Sequence, residues 1–201
     1  MNSKLFVGLT FFQENSFSKS IESFRSRYDY KHQTNPYLHL PIVPPFEIPV
    51  TEVKKLKQEL IEELESFYFE NLVSHTIKFT GIDVHEYKKN KILCLNPIIE
   101  DELSFCQESI FSICQSYIQE REKKMKEASK KTFLTIGRSQ DPTELHSSIE
   151  AAKREFQEFT ALPFESICLF SNNNGTWYRE AALLSFERPD DKFLQSSRVS
   201  I

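Results

Sequence analysis

Two short segments carry the side chains best placed to do chemistry. His39-Leu40-Pro41-Ile42-Val43 can be set over Phe133-Leu134-Thr135-Ile136-Gly137, residue 39 on residue 133, an offset of 94. Both read as strands, and in a strand residues i and i+2 share a face. His39 and Pro41 therefore point one way, against Leu38, Leu40 and Ile42. Phe133 and Thr135 stand opposite Leu134 and Ile136 in the same manner. His39 is either a hydrogen-bonded strand histidine or a ligand contact. Thr135 is a strand-favouring residue in any case. Arg138, just beyond, either pairs with a carboxylate or contacts an anion. His75 shares a face with Val73, Ile77 and Phe79, as a packed histidine or as an acid in a cleft. Trp177 and Tyr178 can stack a nucleobase or fill a core. Lys123, Lys124, Lys126, Lys130 and Lys131 form a basic run, either a solvated helix end or a track for an RNA backbone.

The segment Tyr37-Leu38-His39-Leu40-Pro41-Ile42-Val43-Pro44-Pro45-Phe46 resembles the first motif of the 2H phosphoesterases, the 2′-5′ RNA ligase-like superfamily. That motif is a His-x-Thr strand often followed by Pro-Pro-Phe. Thr132-Phe133-Leu134-Thr135-Ile136-Gly137-Arg138 resembles the second, usually His-x-Thr-Ile-Gly-Arg. Gly175-Thr176-Trp177-Tyr178 is similar to the family's last hairpin. The resemblance implies two imidazoles on opposite sides of one phosphate, one as general base and one as general acid, with the threonine hydroxyls holding phosphate oxygens. It implies no metal and no cofactor. The implied substrates are 2′,3′-cyclic or 2′-5′ phosphodiesters, and the implied partner is a nucleotide or an RNA terminus.

The sequence departs from both motifs. Pro41 stands where the first threonine belongs, and Phe133 where the second histidine belongs. Each general acid or base contributes roughly 10²–10⁴-fold. The expectation is a pseudoenzyme-like protein: His39 is kept as a catalytic group, Thr135 and Arg138 as phosphate contacts, with turnover impaired or lost. Two alternatives stay open. In one, His39 works with a tyrosine or with His75 as an active cyclic phosphodiesterase. In the other, Phe133 and Pro41 have made the cleft apolar, and the chain is a non-catalytic interaction module.

The elements that must position these residues follow from periodicity. Lys4 to Phe12 reads as a strand, Ser16 to Tyr28 as a helix, and Tyr37 to Val43 as a strand ended by Pro44 and Pro45. Thr51 caps an amphipathic helix bearing Val53, Leu56, Leu60, Leu64 and Phe67 on one face. Val73 to Phe79 is a strand. The pattern then repeats: a strand at Lys91 to Leu95, a helix from Asp101 to about Glu127, a strand at Thr132 to Gly137, and a helix from Thr143 to Phe159 opened by Asp141-Pro142. Glu165 to Ser171 and Thr176 to Phe186 form a hairpin around Asn172-Asn173-Asn174-Gly175. The expected fold is α+β, with two pseudo-twofold-related lobes. Each is an antiparallel-rich sheet with helices on its outer face, and together they enclose a central cleft. Residues 1–190 form one bilobal domain, with half-repeats 1–85 and 90–188 and a tail over 191–201.

Composition narrows the class. A chain of 201 residues with 39 % hydrophobic and 27 % charged residues can bury a core. A net charge of −4 argues against bulk attraction to nucleic acid, so an anionic ligand needs a local site. Cys94, Cys106, Cys114 and Cys168 form no CxxC pair and read as free thiols in a reducing compartment, the cytoplasm. Leu5 to Phe12 is too short for a leader and is followed by Gln13-Glu14-Asn15, so it reads as a strand. No apolar run approaches the roughly 20 residues that a membrane span requires.

Overall fold

The alternation of apolar residues along β1 (Asn2–Phe11) sets the frame of the fold. Leu5, Val7, Leu9 and Phe11 are buried in the main core, while Phe6 enters a separate aromatic cluster on the opposite face. The computed structural model describes residues 1–66, 75–87, 89–118, 132–159 and 161–187, the side chain of Tyr87 excepted. After β1 come α1 (Ser16–Tyr28), β2 (His39–Pro49), α2 (Val53–Ser66), β3 (Thr76–Tyr87) and β4 (Asn90–Ile98). The second part holds α3 (Asp101–Tyr117), β5 (Leu134–Ser139), α4 (Pro142–Glu155), β6 (Leu162–Asn173) and β7 (Thr176–Ser185).

The protein is α+β, and the described strand pairings are antiparallel. The strand order is β2-β1-β6-β3-β4-β5, with β7 also on β6. β7, β6, β1 and β2 form one group and β3, β4 and β5 another. They join only where Thr76 and Ile77 pair with Pro163 and Leu162. β2 and β5, the two ends of the order, lie against each other. The helices cross over symmetrically. α1 leaves β1 and packs on β5, whereas α3 leaves β4 and packs on β2. Each half thus covers the motif strand of the other.

Local chemistry explains the helix starts. The Asn15 side chain accepts from Phe17 N at 2.9 Å and Ser18 N at 3.2 Å, and Asp141 accepts from Thr143 N and Glu144 N with Pro142 in the first turn. Ile21 and Phe24 of α1, Leu56, Leu60 and Leu64 of α2, and Cys106, Ile110 and Cys114 of α3 supply the apolar stripes. Gly137 is required by close approach. A Cβ there would sit 3.1 Å from Tyr28 O, where the end of α1 runs beside β5.

Three expected elements end or begin elsewhere. β2 does not stop at Pro44-Pro45 but runs on to Pro49. It pairs with β1 alone, and its register slips between Leu5 and Val7, opposite the two prolines; an edge strand with an irregularity tolerates residues that cannot donate. Thr51 lies inside a 3-10 turn, Val50–Glu52, that leads into α2. His75 precedes β3 with a φ of 43°, in the left-handed region, so it does not share the alternation of Ile77 and Phe79. Phe67, Val73 and the lysine run 123–131 lie outside the described residues, as does the chain beyond 187.

Candidate functional site

Leu40 and Ile42 of β2 are buried in the core, so His39 stands on the face of the sheet that no core cluster covers. Its ring lies 4.8 Å from that of Phe6 and 5.8 Å from that of Phe170. Phe6 in turn stacks on Phe170 at 4.5 Å and meets Trp177 edge-on at 4.7 Å, and Tyr37 closes the cluster against Phe170 at 5.3 Å. The imidazole lies over Gly8, where a Cβ would come within 3.4 Å of His39 Cδ2.

The tautomer of His39 follows from its partner. Nδ1 is 2.8 Å from Tyr37 O, and a carbonyl only accepts, so the proton sits on Nδ1 and Nε2 presents a lone pair. Burial pushes the imidazole down to about 4. The bond to Tyr37 O opposes this, while the positive charges of Arg25 and Arg138 add to it. His39 is therefore neutral at pH 7 and has the form of a base, although a weak one.

Arg138 reaches back toward the end of α1. Its Nη1 donates to Oδ2 of Asp29 at 2.6 Å, and the Asp29 side chain is fully buried. Arg25, also buried, lies with Nε 3.9 Å from the same carboxylate oxygen; its Nη2 donates to Asn35 O at 2.6 Å and its Nη1 to Glu22 at 2.5 Å. The structure thus brings Arg138 and His39 within electrostatic reach of each other, with Asp29 holding the guanidinium. The Arg138 side chain is 15 % exposed.

On the other motif strand, Thr135 is partly buried and pairs with Cys94, which pairs with Asp83. Asp83, Cys94 and Thr135 thus form one row across β3, β4 and β5. Phe133 and His85 lie two residues from Thr135 and Asp83 and share their face. The His85 and Phe133 rings are stacked, 4.5 Å apart and 21° from parallel. Sequence reasoning missed His85 because it is remote from both motifs. Its only signal is parity with Asp83 on a strand whose partner was unknown.

A second missed group flanks His39. Thr10 lies opposite His39 in register, and its hydroxyl is 2.9 Å from Ser166 Oγ and donates to Glu165 at 3.0 Å. Arg179 Nη2 donates to Ser166 Oγ at 2.6 Å. Trp177 joins the aromatic cluster beside His39, whereas Tyr178, 51 % exposed, points away from it. His75 packs against Phe186 at 5.3 Å, and its carbonyl accepts from Phe164 N. Among the described residues no three His, Cys, Asp or Glu gather at metal-ligating distance. Among the described residues, too, no helix is long and apolar enough to cross a membrane.

No family model matches the chain, and no curated protein matches it. Among solved structures the chain is similar to Usb1 of Kluyveromyces marxianus, with a TM-score of 0.47 and 10 % identity, over 92 % of this chain and 98 % of that one.

Proposed function

We propose that this chain is a 2H-type phosphoesterase relative that binds a phosphate-bearing ligand, a nucleotide or an RNA end, with impaired phosphodiester turnover. The observation that carries the reading is the asymmetry of the two motif strands. β2 presents a neutral imidazole, whereas the equivalent place before β5 holds the phenyl ring of Phe133. A lone base of low pKa can take a proton but is poorly matched to the task at neutral pH. Arg138 supplies positive charge near His39, and Trp177 and Phe6 supply a surface on which a base can stack. The four free thiols support a reducing compartment, the cytoplasm.

Calorimetry with a 2′,3′-cyclic nucleotide tests this reading. The wild type should bind, and Arg138→Ala and Trp177→Ala should each weaken binding. No binding by the wild type overturns the reading.

A second reading is favoured by one observation. Phe6, Tyr37, Phe170 and Trp177 surround His39 with rings, which suits an apolar interaction module. Absence of nucleotide binding together with retention of a hydrophobic peptide would support it.

A further inference from the structure

His85 stands where a two-imidazole site lacks its second ring. It shares the face of β3, β4 and β5 that carries Thr135, and its ring lies flat on Phe133, the residue at the second motif's histidine position. Asp83 Oδ2 is 3.9 Å from His85 Nε2. Asp83, His85, Asn96, Gln107, Thr132 and Phe133 line an open cavity of about 420 Å³, roomy enough for a phosphate and part of a sugar. The cavity is tied to the strand of His39. Gln107 Nε2 donates to Ile42 O of β2 at 3.1 Å and to Thr132 Oγ1, the residue before Phe133, at 3.0 Å.

We propose that His85 is the second acid–base group of this site, supplied by β3 where the motif strand carries a phenyl ring. The inference rests on the phosphodiester reading above. Phe133 is its platform, and Asp83 is a positioning residue that favours the imidazolium. In the step proposed, a water oxygen attacks the phosphorus of a 2′,3′-cyclic phosphodiester, and His39 Nε2 takes the water proton. The bond from phosphorus to one ribose oxygen breaks, and His85 gives its proton to that oxygen. The products are a phosphomonoester and a free hydroxyl. His39 then loses its proton to solvent and His85 regains one, so only water is consumed. The low pKa of His39 keeps the reaction slow.

The test separates chemistry from packing by the leaving group. On a 2′,3′-cyclic nucleotide, His85→Ala and His85→Phe should lower the small wild-type kcat by about 10²–10⁴-fold, with Kd unchanged. His85→Phe retains a ring on Phe133, so a loss in both variants is not a packing effect. On a p-nitrophenyl phosphodiester the leaving group needs no proton, and both variants should retain activity within about tenfold of the wild type. His39→Ala should lose activity on both substrates. The proposal is overturned if His85 variants keep wild-type kcat on the cyclic nucleotide, if they lose equally on both substrates, or if the wild type binds the cyclic nucleotide without turning it over. Failure of the underlying reading has a different signature, no binding at all.

Discussion

Arg138 Nη1 donates to Asp29 Oδ2 at 2.6 Å, joining β5 to the residue that follows α1. The Asp29 side chain is fully buried, and Arg25 shares the same oxygen at 3.9 Å. The pair lies where the backbone of residue 29 also bridges to residue 138, so the bond closes one half of the chain onto the other.

Removing the carboxylate should therefore be costly. Asp29→Ala leaves two guanidinium groups near each other without their shared partner, and loss of one member of a buried pair costs about 3–5 kcal/mol. The exposed pair of Arg27 with Glu155 is the control, because Glu155→Gln should cost less than about 1 kcal/mol. Urea unfolding of the two variants should show this separation; equal losses would contradict it.

His39 makes stability depend on pH. Its folded pKa, about 4, lies below the ordinary 6.5 because burial disfavours the imidazolium. Between these values the unfolded chain holds a proton that the folded chain does not, so stability falls as pH drops from about 6.5 toward 4 and is flat above. The full drop corresponds to about 3 kcal/mol. Unfolding measured from pH 7.5 to 4.5 should show this slope in the wild type. His39→Gln, which cannot titrate, should be shallower by that amount; parallel curves would mean that His39 is not desolvated.

Gly8 gives His39 its seat. A Cβ at position 8 would lie 3.0 Å from the Phe6 ring and 3.4 Å from His39 Cδ2. Gly8→Ala should cost about 1–3 kcal/mol through overpacking. It should also tilt the imidazole away from Tyr37 O. The His39 Nδ1–H resonance, read by NMR, should then shift or broaden; an unchanged resonance would show that the ring does not depend on Gly8.

Restoring the motif residues should restore chemistry. Phe133→His with Pro41→Thr returns an imidazole and a hydroxyl to the two motif strands. Turnover of 2′,3′-cyclic nucleotides should rise by about 10²-fold or more over the wild type. Adding His39→Ala should abolish the gain. A double variant that folds and shows no gain would mean that the two strands do not present these positions to a common phosphate.

Much of the scaffold was legible because it rests on local periodicity. The stripe of Leu56, Leu60 and Leu64, the caps Asn15 and Asp141, and the alternation around Leu40 and Ile42 are properties of neighbouring residues, and each reappears in place. The pairing of strands is not local. The prolines at 44 and 45 argue against a strand until β2 is known to be an edge, and His75 fits the strand pattern until its backbone turns left-handed.

The site divides along the same line. The sequence by itself determined which chemical groups are available: one motif imidazole at His39, a hydroxyl at Thr135, a guanidinium at Arg138, and no imidazole at Phe133. Only the tertiary structure decided their states. Tyr37 O sets the tautomer of His39 and burial sets its charge, while Asp29, 109 residues away in the chain, takes the hydrogen bond of Arg138. Likewise His85 reaches Phe133 only because β4 lies between β3 and β5 and carries Cys94, a small side chain, in the row beneath them. Protonation and hydrogen bonding depend on distances across the fold, and one-dimensional spacing does not encode those distances.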